Sequence, residues 1–156
     1  MNAPRTLIAL ALALSGTAGA AGMAHAAGNC TVSLKGNDAM QFDLKEATVS
    51  AGCATITIEL AHTGKLPATA MGHNVVVAKT PDMAGIARDG IKAGVANAYV
   101  PKDDARVIAH TALVGGGETT RITFPGKQLA AGGDYSFFCS FPGHSTLMKG
   151  KLAVTP

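Results

Sequence analysis

The chain is built from short segments in which apolar and polar residues alternate. Ile56, Ile58 and Leu60, for example, are separated by a threonine and a glutamate. This period of two is typical of a β-strand with one buried face and one face in water. Further apolar segments occupy residues 32–35, 41–44, 73–79, 107–114, 119–124, 134–139 and 148–154, with turns such as 36–38 and 115–117 between them. About seven or eight short strands predict an all-β domain, an antiparallel Greek-key β-sandwich whose two sheets bury their inner faces against each other.

One segment departs from this pattern and predicts a short helical insertion. Thr80-Pro81 can cap and begin a helix, residues 83–91 carry apolar side chains at helical spacing, and Gly94 can end it. Because glycines also lie inside the segment, we expect the helix to be short.

Residues 1–26 differ from the rest of the chain and predict a secretory signal peptide. Arg5 precedes the apolar run Leu7–Leu14, and Ala24-His25-Ala26 is a small-x-small cleavage pattern. A transmembrane helix fits less well, because it needs about 20 apolar residues and serine and glycine interrupt the run after Leu14. We therefore expect a domain of residues 27–156 that is exported to the periplasm and has no membrane span.

Length and charge exclude two classes of protein. At 156 residues the chain is too short for a multidomain enzyme. Its 13 Lys and Arg residues against 10 Asp and Glu residues leave a net charge of +3, far below that of a nucleic-acid-binding surface. We therefore expect no nucleic acid partner.

The number of cysteines is odd, which needs an explanation in an exported protein. The chain has three cysteines. Cys30 and Cys53 lie at the ends of two segments that could be neighbours, and we predict a disulfide bond between them. Cys139 lies far along the chain beside His144 and is then the free thiol.

The free thiol belongs to a segment with three potential metal donors. Cys139, His144 and Met148 are separated by four and then three residues, and Pro142-Gly143 supplies a turn between them. His73 opens an earlier valine-rich strand and could supply a fourth donor. Two imidazoles, a thiolate and a weak thioether are the donor set of blue-copper electron-transfer sites. The set serves both oxidation states, since Cu(II) favours nitrogen and Cu(I) favours soft sulfur.

Three other kinds of site fit these residues less well. A structural zinc site wants four good donors, and methionine is a poor one, although zinc could fill the site in a copper-poor cell. A nucleophilic Cys/His enzyme needs an accessible thiol, an oriented base and oxyanion donors, and no such set is visible. A copper enzyme needs a further cluster of histidines, and only His62 and His110 remain in residues 27–156.

Motifs along essentially the whole of residues 27–156 resemble one known family. They are the two cysteines at 30 and 53 and the stretches 36–38, 40–42, 71–74 and 139–148. These motifs resemble the azurins, small blue-copper proteins of the cupredoxin family. The loop spacing and the helical insertion are more similar to azurins than to the plastocyanin branch. One difference is the absence of tryptophan, whose place in the core Val75 can fill.

The resemblance implies one type 1 copper ion per chain and a ligand for each of its positions. His73, Cys139 and His144 would bind copper in the plane, with Met148 and the carbonyl oxygen of Gly72 as distant axial partners. Asn74 and the backbone amide of Phe141 would hydrogen-bond the Cys139 sulfur and tune the potential.

The resemblance also implies a docking surface through which the edge of His144 emerges. We use this name for eight residues: Met40, Leu66, Ala70, Met71, Phe141, Pro142, Thr146 and Leu147. Redox partners such as a c-type cytochrome or a periplasmic reductase would bind there transiently to a monomeric carrier. The protein would then shuttle single electrons and catalyse no bond chemistry. A copper-storage or copper-delivery protein and a secreted binding module remain alternatives.

His62 continues the parity of the apolar residues on its strand and should point into the core. We interpret it as a buried histidine with both nitrogens hydrogen-bonded. The alternative is a proton-linked switch that shifts the copper potential, as its azurin counterpart suggests.

Overall fold

The computed structural model describes residues 29–156, which form two β-sheets and two helices. The predicted signal peptide, residues 1–26, and the predicted domain start at residue 27 lie outside the described residues. The helices are α1 (Ala68–Met71) and α2 (Met83–Ala93). The strands are β1 (Thr31–Asn37), β2 (Gln41–Phe42), β3 (Glu46–Ser50), β4 (Thr55–His62), β5 (Val76–Lys79), β6 (Val107–His110), β7 (Thr119–Pro125), β8 (Tyr135–Phe138) and β9 (Lys149–Thr155).

The two sheets confirm the predicted β-sandwich with one short helical insertion. One sheet has the order β2-β1-β4-β7 and the other the order β3-β9-β8-β5-β6. The prediction of a wholly antiparallel sandwich is wrong at two pairs, since β1 pairs with β4 and β3 with β9 in parallel. These pairs arise because the chain leaves the first sheet after β2, forms β3 in the other sheet, and returns to the first as β4.

Strand boundaries differ from the predicted segments at two places near His73. The apolar runs 73–79 and 107–114 form regular strands only as β5 and β6. Beyond these strands, His73 and Val114 still form an isolated antiparallel bridge, with both N···O distances at 2.9 Å. The bridge fixes the backbone of His73 to the sheet without continuing β5. Strand β3 was not predicted, and it raises the number of strands in residues 29–156 to nine, against seven or eight predicted.

The main core lies between the sheets, and a second cluster lies under α2. Val49, Ile56, Phe137 and Leu152 are fully buried members of the main core. The second cluster is formed by Val76, Ala78, Ile86, Val100 and Phe138. Strands β5 and β8 are therefore buried on both faces, which explains why apolar residues are consecutive at Val76–Ala78 and Phe137–Phe138 rather than alternating.

Helix α2 confirms the predicted insertion and packs closely on the chain that follows it. A 3₁₀ turn at Thr80–Asp82 precedes the helix, and Gly94 follows it with φ of 74°. A Cβ at Gly90 would collide with the carbonyl group of Tyr99. This close approach sets the position of the segment after the helix, which contacts the Cys139 loop described below.

The predicted disulfide bond between Cys30 and Cys53 is confirmed. It joins the residue before β1 to the turn before β4, across a sequence separation of 23. The two strands are parallel neighbours, so the bond ties together the starts of the two central strands of one sheet. Cys139 is a free, buried thiol.

We predict that the double variant Cys30→Ser/Cys53→Ser is less stable by about 3 kcal/mol, because the loop closed by the disulfide bond restricts the unfolded chain. Equilibrium unfolding in denaturant with and without both cysteines measures the difference. The visible spectrum of the copper-loaded variant should be unchanged, since neither cysteine belongs to the Cys139 loop. An equal free energy of unfolding would contradict the prediction.

Candidate metal centre

Three predicted metal donors from two parts of the chain meet inside the sandwich. The ligand atoms of His73, Cys139 and His144 all lie within 4.8 Å of one another, and all three residues are buried. His73 is held by its bridge to Val114, Cys139 follows β8 directly, and His144 begins a 3₁₀ turn before β9. Among residues 29–156 this is the sole group of three or more such side chains close enough to hold a metal ion.

The loop that carries Cys139 and His144 is closed by its own backbone hydrogen bonds. The Cys139 amide donates to the carbonyl of Met148 at 3.0 Å, and the Met148 amide donates to the carbonyl of His144 at 2.8 Å. Gly143, with φ of 83°, makes the turn in a conformation that favours glycine. These bonds bring the end of β8 next to the start of β9 and hold all three residues at one end of the sheet.

Both nitrogens of the His73 ring face carbonyl oxygens, so one of them directs a lone pair at an oxygen. Nε2 lies 2.8 Å from the carbonyl oxygen of Asn37, and Nδ1 lies 3.0 Å from the carbonyl oxygen of Gly72. A neutral ring has one N–H group, so one of these nitrogens turns a lone pair towards an oxygen. Burial lowers the pKa of His73, which disfavours a doubly protonated ring. A cation bound at Nδ1 would remove this repulsion, because Nε2 would then carry the ring proton and donate it in a hydrogen bond to the Asn37 carbonyl oxygen.

Cys139 is fully buried, and its sulfur lies among the other donors. Sγ is 3.6 Å from His144 Nδ1 and 3.8 Å from the Gly72 carbonyl oxygen. Burial raises the pKa of the thiol to about 11, while backbone N–H groups of Asn74 and Phe141 donate to the sulfur and act in the opposite direction. The thiol is inaccessible and protonated at neutral pH, which argues against a Cys/His nucleophilic enzyme.

The third donor, His144, is almost entirely buried. Burial lowers its pKa to about 4, so the ring is neutral at pH 7 and Nδ1 can offer a lone pair. Every fully buried side-chain nitrogen and oxygen among residues 29–156 has a hydrogen-bond partner. His144 Nε2 has no such partner there, so this edge of a residue that is 3% exposed keeps a small contact with solvent. The Phe141 ring packs beside it, with centroids 4.5 Å apart.

Met148 is fully buried and packs beside His73. A Cβ at Gly36 would lie 2.8 Å from both the Met148 terminal methyl group and Cδ2 of His73. Glycine at position 36 therefore leaves space for a thioether and an imidazole to lie side by side against β1.

The Asn74 side chain binds the loop rather than the sulfur. Its Oδ1 accepts from the Ser140 amide at 2.9 Å, and its Nδ2 donates to Ser140 Oγ and to the carbonyl of Ala98, each at 2.8 Å. Ser140, Ala98 and the Asn37 carbonyl were missed by the sequence analysis. Ser140 could have been predicted because it follows Cys139 in the sequence. The carbonyl groups could not, because every residue type has one.

His62 is buried against His73, and both of its nitrogens are hydrogen-bonded. Nδ1 accepts from the Gly64 amide at 3.0 Å, and Nε2 lies 2.9 Å from the carbonyl oxygen of Met71, to which it donates. The His62 and His73 rings stack with centroids 4.1 Å apart. The structure thus places His62 as the predicted core histidine, while His110 is exposed on β6.

The eight residues of the docking surface differ in exposure. Leu66 is 42% exposed and Leu147 is 56% exposed, which is unusual for leucine. Ala70 and Thr146 are also exposed. The remaining four residues are half-buried: Met40, Met71, Phe141 and Pro142. The sequence places Phe141 and Pro142 in the same loop as His144.

These donors fit copper by their chemistry. Two neutral imidazoles and a sulfur that accepts two backbone hydrogen bonds suit a soft or borderline ion better than Mg²⁺ or Ca²⁺, which prefer oxygen. The buried, hydrogen-bonded setting restricts movement of the donors when the charge of an ion changes. Such a site can exchange an electron with little rearrangement.

Comparison with known proteins agrees with this donor chemistry. Residues 28–155 match the model of the copper binding proteins, plastocyanin/azurin family. The chain is 58% identical over 125 residues to Azurin-1 of Alcaligenes xylosoxydans xylosoxydans, covering 80% of this chain and 97% of the relative. It is 56% identical over 125 residues to the azurin of Alcaligenes faecalis, covering 80% and 98%.

A solved structure is also similar over most of the chain. It is an azurin from the obligate methylotroph Methylomonas sp. strain J, with a TM-score of 0.78 and 38% sequence identity. The match covers 81% of this chain and 98% of that one.

We predict that Cu(II) binding to the metal-free protein at pH 7 releases about one proton per ion, which comes from Cys139 because both histidines are already neutral. Below the His144 pKa of about 4, the His144 imidazole of the metal-free protein also takes up a proton, and copper affinity falls further with decreasing pH. Calorimetric titration in two buffers of different ionisation enthalpy measures the released protons. Cys139→Ser is the control and should release none, and release of two or more protons by the natural chain at pH 7 would contradict the prediction.

Proposed function

Since the chain belongs to the plastocyanin/azurin family of copper binding proteins, we propose that it is a type 1 blue-copper protein that carries single electrons between redox partners. The observation that carries this function is the buried cluster of His73, Cys139 and His144. When bound, copper supplies a one-electron Cu(II)/Cu(I) couple at these donors.

Each residue of the site has a distinct part in binding. His73, Cys139 and His144 would provide the strong bonds to copper, and Met148 and the Gly72 carbonyl oxygen would be weaker donors. Support comes from the position of Gly72, whose oxygen lies within 3.8 Å of both His73 Nδ1 and Cys139 Sγ. The fully buried Met148 lies on the β1 side of the His73 ring.

Backbone hydrogen bonds would keep these donors in place during electron transfer. The amides of Asn74 and Phe141 donate to the Cys139 sulfur, which withdraws electron density from it and tunes the potential. The Asn74 side chain fixes the adjacent Ser140 backbone. Because the donors have little freedom to rearrange, the energy needed to reorganise them between oxidation states stays small.

Electrons would enter and leave through the edge of His144. Its Nδ1 belongs to the donor cluster, and its Nε2 edge would be the part of the ring that meets the docking surface. The surrounding docking surface is apolar, which suits a small, transient encounter between a monomer and a partner such as a c-type cytochrome or a periplasmic reductase. The protein would catalyse no bond chemistry, since its metal donors are buried side chains and its thiol is protonated and inaccessible.

Residues 1–26 would act as a signal peptide that directs residues 27–156 to the periplasm. Support comes from the n-region, apolar run and cleavage pattern of the sequence, and from the disulfide bond, which is favoured in an oxidising compartment. Within residues 29–156, no helix is long and apolar enough to cross a membrane.

We predict that Cu(II) added to the refolded domain produces an intense blue absorption band and narrow copper hyperfine splitting in electron-spin resonance. Both follow from a strong bond between copper and the Cys139 thiolate. The loaded protein should also show a reversible potential and keep its copper in both oxidation states in the presence of a chelator. Rapid loss of copper would favour a delivery protein instead, and binding activity retained by Cys139→Ser would favour a binding module.

We predict that Met71→Lys slows electron exchange with a partner about tenfold, equivalent to about 1.4 kcal/mol, because an ammonium group in the apolar contact must lose its hydration. The blue band should remain, since the Met71 side chain is outside the donor set. Stopped-flow mixing with a reduced c-type cytochrome measures the rate. Thr48→Lys adds the same charge at an exposed position on β3, and an equal rate for the two variants would contradict the docking surface.

A further inference from the structure

The turn between β1 and β2 holds the His73 ring from one side. The Asn37 carbonyl accepts from His73 Nε2 at 2.8 Å. The Asn37 side chain in turn accepts from the amides of Ala39 and Gln41, at 3.0 and 3.2 Å. The nitrogen of His73 that faces away from the other donors is thus anchored to a turn that is itself closed by hydrogen bonds.

The next residue of the same turn binds the docking surface. The Asp38 carboxylate accepts from the amides of Lys65 at 2.8 Å and Leu66 at 3.3 Å. A Cβ at Gly64 would collide with this carboxylate, so the segment 64–66 lies directly over it. Asp38 therefore holds the backbone on which the exposed Leu66 side chain stands.

The two sets of contacts are mechanically connected. The Asn37 carbonyl and the Asp38 amide belong to one planar peptide unit, so fixing Asp38 restricts the carbonyl that orients His73. Asp38 also lies near the stacked histidines, with Oδ1 at 3.9 Å from His62 Nε2. The contacts of segment 64–66 and those of His73 thus meet at two adjacent residues, the Asp38 side chain and the Asn37 carbonyl.

The charge of Asp38 is not neutralised by a basic side chain. Among residues 29–156, the ion pairs include no lysine or arginine partner for Asp38. The hydrogen bond from the Lys65 amide lowers the pKa of the carboxyl group, which is therefore ionised at neutral pH. A fixed negative charge near the His73 ring favours the more positive oxidation state of an ion bound there.

We propose that Asp38 is a positioning residue of the copper centre, which links the Leu66 segment of the docking surface to the orientation of His73 and stabilises the oxidised centre. This inference rests on the proposed function and assigns regulation of the potential to a residue outside the donor set. Under this proposal, the Leu66 segment that a partner would contact and the His73 ring that would bind copper belong to one hydrogen-bonded unit.

The test compares three variants of the copper-loaded domain. Asp38→Asn keeps the size and an acceptor oxygen but removes the charge, and Asp38→Ala removes both. Asp43→Asn is the matched control, because the Asp43 carboxylate also accepts a backbone amide, that of Lys35 at 2.7 Å. Within residues 29–156 it forms no hydrogen bond or ion pair with a histidine or with segment 64–66. Reduction potentials are measured by voltammetry, and amide hydrogen exchange is measured on the diamagnetic Cu(I) form.

We expect Asp38→Asn to raise the reduction potential, and Asp43→Asn to change it less. In Asp38→Ala, the Lys65 and Leu66 amides should exchange at least tenfold faster than in the natural chain. Equal potentials for the two Asn variants, or unchanged exchange at both amides in Asp38→Ala, would overturn the inference. If the natural chain itself shows neither a blue band nor a reversible potential, the proposed function fails; if it shows both, a negative result concerns Asp38 alone.

Discussion

Electron-rich atoms face one another inside this protein, away from water, and the structure around them serves to hold them there. His73 Nδ1 and Cys139 Sγ lie near the same carbonyl oxygen, that of Gly72, and His144 Nδ1 lies 3.6 Å from Cys139 Sγ. Without a cation, the surrounding backbone holds these donors in place even though the His73 ring turns one lone pair towards a carbonyl oxygen. A bound ion turns the same proximity into coordination, and its binding free energy adds to the stability of the folded state.

The donors are placed by three independent restraints. The His73–Val114 bridge fixes one imidazole to the end of the larger sheet, and the hydrogen bonds between Cys139, His144 and Met148 close the loop that carries the others. Asn74 then ties the two parts together through Ser140. A change in any one restraint would leave two others in place, which is consistent with a site that changes charge without changing shape.

The donor loop was predictable because its information is local. The spacing of Cys139, His144 and Met148 lies within one short segment, and the leftover cysteine drew attention to it. Strand β3 was missed although its polar and apolar residues alternate, since the segment has only five residues and its buried side chains include the small Ala47 and the polar Ser50. The parallel pairing of β1 with β4 depends on how the chain crosses between sheets, which no short segment encodes. The carbonyl groups of Asn37 and Ala98 were invisible for a different reason, because every residue has a carbonyl.

The place of β9 has a consequence for the order in which the molecule assembles. This strand follows the donor loop in sequence, yet it lies in the interior of its sheet between β3 and β8. The Cys139 amide has its partner in the residue just before β9, so the loop has no fixed shape until that strand has inserted. During synthesis, a growing chain that ends at the loop would present a reactive sulfur without its neighbours. The metal site can therefore form only after β9 has been synthesised and has paired. The metal ions that compete for the site are then those of the compartment in which folding is completed.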